Sequence, residues 1–571
     1  SVNAAITDGS AIITSSASSP FTQEDVVKMA RQINSGSLPF ALTVDSYSTI
    51  SPSLGENSLS AMVLAGVIAF ALIMVLMTAL YRLPGFLACI ALAGQVAATL
   101  AFVSGYFPVF ESFTLTLPGI AGIILAIGMG VDANVITAER IKEELRSGKS
   151  LDGALKSGFA RGLTPIIDGN VTIVIVAAIL MGAFGPTDGF WAKVFNPIFY
   201  WFGPSTAGTI YSFGFTLLTS VLLNFVFGVW ATRVMIRGAV HFKPLRNAWL
   251  FGGKKEGGAD FKTPSINFIG NRKKFYTFSC ALIAVVLVFC GIFGVKMDVE
   301  FKGGSMITLA YEGDADLNDL KSTIGTELGK SNLTLQTGSD ISGNQTLTVT
   351  LPGSDTLTTE QLDNLLAALN EQYPDNKFVQ NEVSNVDATI GKEFLLKSVV
   401  ALVAACVLIL LYVAYRFRKI GGLKAGSTAI VALLHDMFVV FGVFVLLRIP
   451  LNGNFIAALL TILGYSINDT VVIYDRIREN SALYGKKQMS LAELVNLSVN
   501  QSFARSLMTS ITTCLALGVV CVVSVIYRLD SIYSFAFPLL FGMVSGVYST
   551  ICIATPLWVD WKNKKKAAKK A

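Results

Sequence analysis

The sequence predicts a polytopic α-helical membrane protein of two pseudo-symmetric halves, with about eleven transmembrane helices and one small ferredoxin-like α+β domain outside the membrane. Three observations predict it. Of 571 residues, 53% are hydrophobic and only 14% charged, with a mean hydropathy of +0.60, which sets the chain apart from soluble enzymes. Apolar runs recur at the length, about 20 residues, that crosses a bilayer as a helix. One run is present twice. GMGVDANVITAERIKEEL from Gly128 lines up with GYSINDTVVIYDRIREN from Gly464, matching the glycine, the Val and Ile positions, and the pairs Glu139–Arg140 and Asp475–Arg476. Tyr81-Arg82 likewise corresponds to Tyr415-Arg416, and Phe159-Ala160-Arg161 to Phe503-Ala504-Arg505. Parallel repeats of this kind set their functional groups at the interface between halves, near the bilayer midplane.

In chain order, residues 1–57 are polar and read as a piece of a small α/β module. A strand-like run lies near Ser10–Ser16, a helix at about Gln23–Ser35 is started by Thr22 with Asp25, and a second extended run covers Phe40–Ile50. The chain opens at Ser1 with no signal-peptide pattern, and the expectation is a chain shortened at its N-terminus. Residues 58–232 form the first membrane half, with five spans at about Ser60–Leu80, Gly85–Tyr106, Leu115–Thr137, Leu163–Phe184 and Thr209–Trp230. Lys and Arg gather beside Arg82 and between Glu139 and Arg161, so those loops are expected in the cytoplasm and residues 1–57 outside. The basic, Gly-containing stretch 233–274 is a cytoplasmic linker.

A sixth span, 275–296, leads into the acidic stretch 297–392. Its strand, helix, strand, strand, helix, strand pattern predicts the ferredoxin-like outer domain, with elements at Ser305–Tyr311, Leu317–Leu328, Leu333–Gln336, Thr346–Leu351, Thr359–Gln372 and Phe378–Val383. Five further spans occupy 393–561, at about Leu395–Tyr415, Gly422–Leu447, Asn454–Tyr474, Leu507–Val525 and Tyr533–Leu557. The lysine-rich tail 562–571 reads as a cytoplasmic anchor attracted to anionic lipid rather than a nucleic-acid contact. All seven cysteines sit in apolar stretches without metal-ligand spacing, so they read as small buried or lipid-facing residues. No Walker loop, nucleophile elbow or metal-ligand cluster argues for an enzyme.

The candidate site residues are the ionisable groups inside the spans. Asp132 lies about 10 Å along its helix from the charged end at Glu139, too deep for a carboxylate to snorkel. An unpaired ion there costs about 2.5–3.5 kcal/mol on insertion scales, so either a relay function or a helix-pairing partner must explain it. In the repeat, Asp132 falls opposite Asn468, while Asp469 is shifted by one residue, about 100° around its helix. Arg505 precedes the Ser/Thr-rich SLMTSITT and either enters the bundle to meet Asp132 or Asp469 or flanks the membrane as a cytoplasmic charge. Entering, it would form a bistable acid–cation element. Asn134, Asp168, Asn468, His435 and Asp436 are further candidates for relay or helix pairing. The coupling ion expected is H⁺, with Na⁺ as the alternative, and no other cofactor is expected.

At these residues the chain resembles a known family. LPGIAGIILAIGMGVDANV with ERIKEEL looks like the SecD signature. VEFKGGS at Val299–Ser305, LLHD at Leu433–Asp436, GYSINDTVVIYDRIREN and the run Asn500–Thr513 look like SecF. The order is that of the fused SecDF family, and the resemblance implies the RND-superfamily fold. It also implies an accessory role in Sec protein export across the bacterial cell membrane, with late steps driven by proton-motive force. The resemblance puts Asp132, Asp469 and Arg505 at the family's proton-relay positions. It implies as partners the SecYEG translocon, a YidC-type insertase, the unfolded exported polypeptide and membrane lipids. Most of the family's large first outer domain is not in the chain. Two other readings are an ion-driven exporter of lipids or small amphiphiles and a passive translocon scaffold.

Overall fold

The structure, a computed structural model, describes residues 46–50, 52–106, 116–202, 208–253, 266–313, 315–330, 333–339, 345–352 and 357–568. The strand expected at Ser10–Ser16 and the helix at Gln23–Ser35 lie outside the described residues. Strand β1 (Ser46–Ile50) matches the end of the extended run expected at Phe40–Ile50 and leads into α1 (Pro52–Val103). The first half continues with α2 (Leu117–Gly130), α3 (Asp132–Arg146), α4 (Leu151–Phe184) and a short α5 (Phe190–Phe199). It closes with α6 (Gly208–Asn224), a π-helical turn at Phe225–Ala231 and α7 (Thr232–Val240). The second half opens with α8 (Arg272–Phe293) and α9 (Val299–Lys302). The folded domain follows as β2 (Gly304–Tyr311), α10 (Leu317–Glu327), β3 (Thr334–Ser339), β4 (Gln345–Pro352), α11 (Thr359–Gln372) and β5 (Val379–Val386). The remaining membrane elements are α12 (Ala388–Arg416), α13 (Gly422–Leu446), α14 (Gly453–Gln488), α15 (Leu491–Ile526) and α16 (Asp530–Ser549). A second π turn at Thr550–Ala554 precedes α17 (Thr555–Ala568).

Among the described residues, ten helices are long and apolar enough to cross a membrane. The first of them, Ser58–Val103, has 46 residues and a length of about 69 Å, more than twice the hydrocarbon thickness. Arg82 breaks it with φ 52° and ψ −122°, two residues before Pro84. Its two arms therefore correspond to the separate spans expected at Ser60–Leu80 and Gly85–Tyr106. The repeat helices are the innermost. The membrane windows of α2–α3 and α14 are 94% and 100% buried within the protein, against 11% for α8 on the periphery.

The sheet is antiparallel in the order β1-β5-β2-β4-β3. Without β1 the order is that of a ferredoxin-like module, and its buried face packs Ile307, Leu309, Leu347, Val349 and Val383 against Leu320, Ile324, Leu365 and Leu369 of α10 and α11. Thr358 and Gln361 form a capping box that starts α11. Ser46–Ile50 pairs along Val386–Glu382, so the segment before the first span supplies the fifth strand of a domain more than 250 residues away.

That domain is fastened to the start of α14. Leu451 donates to the Lys296 carbonyl at 2.9 Å, and Asp298 N–H donates to the Leu451 carbonyl at 3.0 Å. Glu300 Oε2 accepts the Gly453 N–H at 2.6 Å, a carboxylate at the positive end of a long helix. Burial, with the negative charge of Asp298 beside it, nonetheless pushes the Glu300 carboxyl up to about 7. Between its ordinary value near 4.5 and about 7, the folded chain keeps a proton that the unfolded chain has lost. Stability from this group is therefore full below pH ~4.5 and is lost as pH rises through about 7. Thermal unfolding across that window should lose on the order of 1–3 kcal/mol, and Glu300→Gln should flatten this part of the profile. An unchanged profile in the variant would refute the assignment.

Candidate functional site

The site lies where α3, α14 and α15 meet, between the halves. Asp132 opens α3, just after the helix passes Val131, and Asn468 Nδ2 of α14 donates to Asp132 Oδ2 at 2.7 Å. The two residues that the repeat aligns thus bond to each other across its axis. Asn468 reaches this position only because residue 169 of α4 is glycine; a Cβ there would stand 1.7 Å from Asn468 Oδ1. Asp469 and Arg505 are buried beside the pair, at 5% and 8% exposure. The charges of Asp132, Asp469 and Arg505 act on one another. Asp132 Oδ1, Asp469 Oδ2 and Arg505 Nε and Nη2 have no hydrogen-bond partner among the described residues. Two acids and one cation converge in the buried interior with hydrogen-bonding capacity to spare, an arrangement able to take up and release a proton.

Arg505 therefore enters the bundle instead of flanking it. The Ser/Thr-rich stretch that follows it has a role the sequence reading left open. Tyr465 of α14 points its hydroxyl at the Thr509 carbonyl, Ser510 Oγ and Thr513 Oγ1, at 3.4, 3.5 and 3.3 Å, tying the two helices together below Asp469. The one signal for Tyr465 was its place between Gly464 and Asn468 in the repeat.

The remaining candidates separate. Asp168 is away from the central pair: Arg416 Nε donates to its Oδ1 at 2.7 Å and the Tyr412 hydroxyl at 3.1 Å, both from α12. It acts as a helix-pairing residue between the halves, with Oδ2 unpartnered among the described residues. Asn134 is buried on α3, its Oδ1 without a partner among the described residues. His435 and Asp436 are buried on α13, and Asp436 is held by serines of α14 and α16.

At the end of α3 and the matching level of α14, four charged residues form a ring. Arg140 binds its own-helix neighbour Glu143 at 3.0 Å and Glu479 of the other half at 3.1 Å. Arg476 binds its own-helix neighbour Glu479 at 3.0 Å and Glu143 at 2.9 Å. Arg140 and Arg476 are repeat equivalents, and so are Glu143 and Glu479. Arg161 adds a bond to Glu144 at 2.8 Å. The glutamates stand in the aligned motifs, three residues after each arginine.

Comparison with known proteins places the chain in a family. The family model described as protein export membrane protein SecD/SecF, C-terminal, matches residues 32–192 and 366–564. The protein translocase subunit SecDF of Bacillus subtilis is 31% identical over 559 residues, covering 95% of this chain and 70% of the relative. The crystal structure of SecDF from Thermus thermophilus, described as a translocon-associated membrane protein, superposes with a TM-score of 0.74 at 31% identity, over 97% of this chain and 69% of that one. A second SecDF structure, in a super-membrane-facing form, superposes at 0.66 over 94% and 67%.

Proposed function

Because the chain belongs to the SecDF family of protein translocase subunits, we propose that it is an accessory subunit of the Sec machinery in which proton movement between the halves drives late steps of protein export. The observation that carries the reading is the Asp132–Asn468 bond across the repeat axis, with Asp469 and Arg505 buried beside it. A proton arriving at either acid weakens its hold on Arg505, and a proton leaving restores it. The two charge states favour different packings of α3, α14 and α15, which is what a rocking motion of two halves needs.

The orientation follows from charge. Arg82 stacks on Trp249 of the linker, Arg272 pairs with Asp560 of α17, and the charged ring ends α3, so the basic loops share one side. By the positive-inside rule that side is cytoplasmic, and the five-stranded domain is outside, where an exported chain emerges. SecYEG and the unfolded polypeptide are the partners this reading assigns.

The test uses membrane vesicles containing the translocon, with export scored by protease protection of a preprotein. The chain should stimulate export under a proton gradient, and a protonophore should reduce export to the level seen without the chain. Stimulation that persists with a protonophore and follows a sodium gradient would reassign the ion. Equal stimulation without any gradient would leave a scaffold.

A further inference from the structure

Asp436 is fully buried in α13, and both of its carboxylate oxygens accept serine hydroxyls. Ser466 of α14 donates to Oδ2 at 2.6 Å and Ser549 of α16 at 2.7 Å, while Ser545 of α16 donates to Oδ1 at 2.6 Å. His435 Nδ1 lies 3.4 Å from Oδ1 and 3.3 Å from the Ser545 hydroxyl, and its Nε2 is buried with no partner among the described residues. The cluster abuts the π turn at Thr550–Ala554, where Thr550 bonds Thr470 of α14 at 2.7 Å. Interruptions of this type recur at functional sites.

The first half shows what a purely structural version of this cluster looks like. Gly130 is the repeat equivalent of Ser466, and Ser220 and Ser545 each stand five residues before a π turn. There the corresponding pocket is filled by Gln95, which donates to the Ser220 carbonyl at 3.0 Å and packs against Gly130. A neutral amide is enough to pin the helices. The second half instead buries a carboxylate and an imidazole, which is more costly inside a membrane and calls for a task beyond pinning.

We propose that His435 and Asp436 form a second proton-binding site, confined to the second half, that reports its charge to the Asp469 helix through Ser466. When Asp436 is ionised all three serines donate to it; when it binds a proton, its hydroxyl becomes a donor and one serine must turn away. Ser466 lies three residues before Asp469 on α14, so that turn occurs within one helical turn of the central acid. Other titratable groups on the packed elements are engaged elsewhere or remote. Arg416 of α12 is bound to Asp168, and Arg272 of α8 to Asp560 of α17. Lys397 lies in the outer third of α12, and Lys424 is at the start of α13 bonded to the Trp561 carbonyl. Tyr548 of α16 sits over His435 at 5.8 Å between ring centres and bonds Ser279 of α8, and Cys552 follows in the π turn. Tyr474 of α14 bonds Thr428.

The experiment is infrared difference spectroscopy of the full chain in lipid, titrated with pH, in an Asp132→Asn/Asp469→Asn/Glu300→Gln background, which also silences the outer carboxyl that titrates near 7. That background removes the central acids, so the result is independent of the proposed relay. A protonated-carboxyl carbonyl band should still titrate and should vanish on adding Asp436→Asn. Ser466→Gly, which installs the first half's residue, should move the midpoint upward by about half a pH unit or more, because a donor to the anion is gone. His435→Gln should move it as well. The proposal is overturned by a titrating band that Asp436→Asn leaves undiminished, or by a band that follows sodium at constant pH. If Asp436→Asn does not fold, a midpoint unmoved by both Ser466→Gly and His435→Gln overturns it.

Discussion

Asp132→Asn brings gradient-stimulated export down to the level measured with a protonophore, in a protein that still folds and inserts. The loss is complete because an amide cannot exchange a proton in this range, while every shape-determining contact survives. Asn468 Nδ2 now donates at 2.7 Å to a carboxylate oxygen that an asparagine carbonyl can replace. Gly169 still leaves room for Asn468, and Arg505 keeps Asp469 as its counter-charge. Burying a neutral amide costs less than burying an ion, so thermal stability should hold or rise slightly. Asp469→Asn should give the same functional loss by the same reasoning. Export by Asp132→Asn that still responds to the gradient would remove the central site from the mechanism.

Much of this architecture was legible in the sequence because membrane spans and repeats are local patterns. The matched motifs around Gly128 and Gly464 mark the two central helices and align Asp132 with Asn468, and the structure bonds the two to each other. What was not legible depends on partners far apart in the chain. Asp168 could be read as relay or as helix pairing, since nothing near it signals Arg416, 248 residues away. Ser46–Ile50 looked like the end of a separate module because strand pairing leaves no mark of its partner in the strand itself. Arg505 had two readings because a charge beside a span is usually a flank, and only the packing of α15 on α3 and α14 decides that it points inward. The serines around Asp436 were invisible for a related reason: Ser466, Ser545 and Ser549 are ordinary membrane-helix residues until three of them converge on one carboxylate.

Linking the halves at the charged ring should stop export as completely as losing the proton carrier. With Glu143→Cys and Arg476→Cys bridged by a reversible bis-methanethiosulfonate linker, in a background lacking the exposed Cys280, export should stop and should return when the linker is reduced. The reason lies in how the ring is wired. Each arginine binds one glutamate on its own helix and one on the other half, at 2.9–3.1 Å. When the halves separate at this end, Arg140 keeps Glu143 and Arg476 keeps Glu479, so no charge is left alone and opening is inexpensive. A clasp meant to stay shut would gain from charges that have no other partner. Replacing both arginines with glutamine should accordingly affect export far less than the linker does, since it weakens a contact that the cycle must break anyway. Either cysteine alone, treated with the same linker, controls for local bulk. Undiminished export with the halves bridged would mean that this end never opens, and the motion coupled to Asp132 and Asp469 would have to be sought at the end of the bundle where Glu300 holds the start of α14.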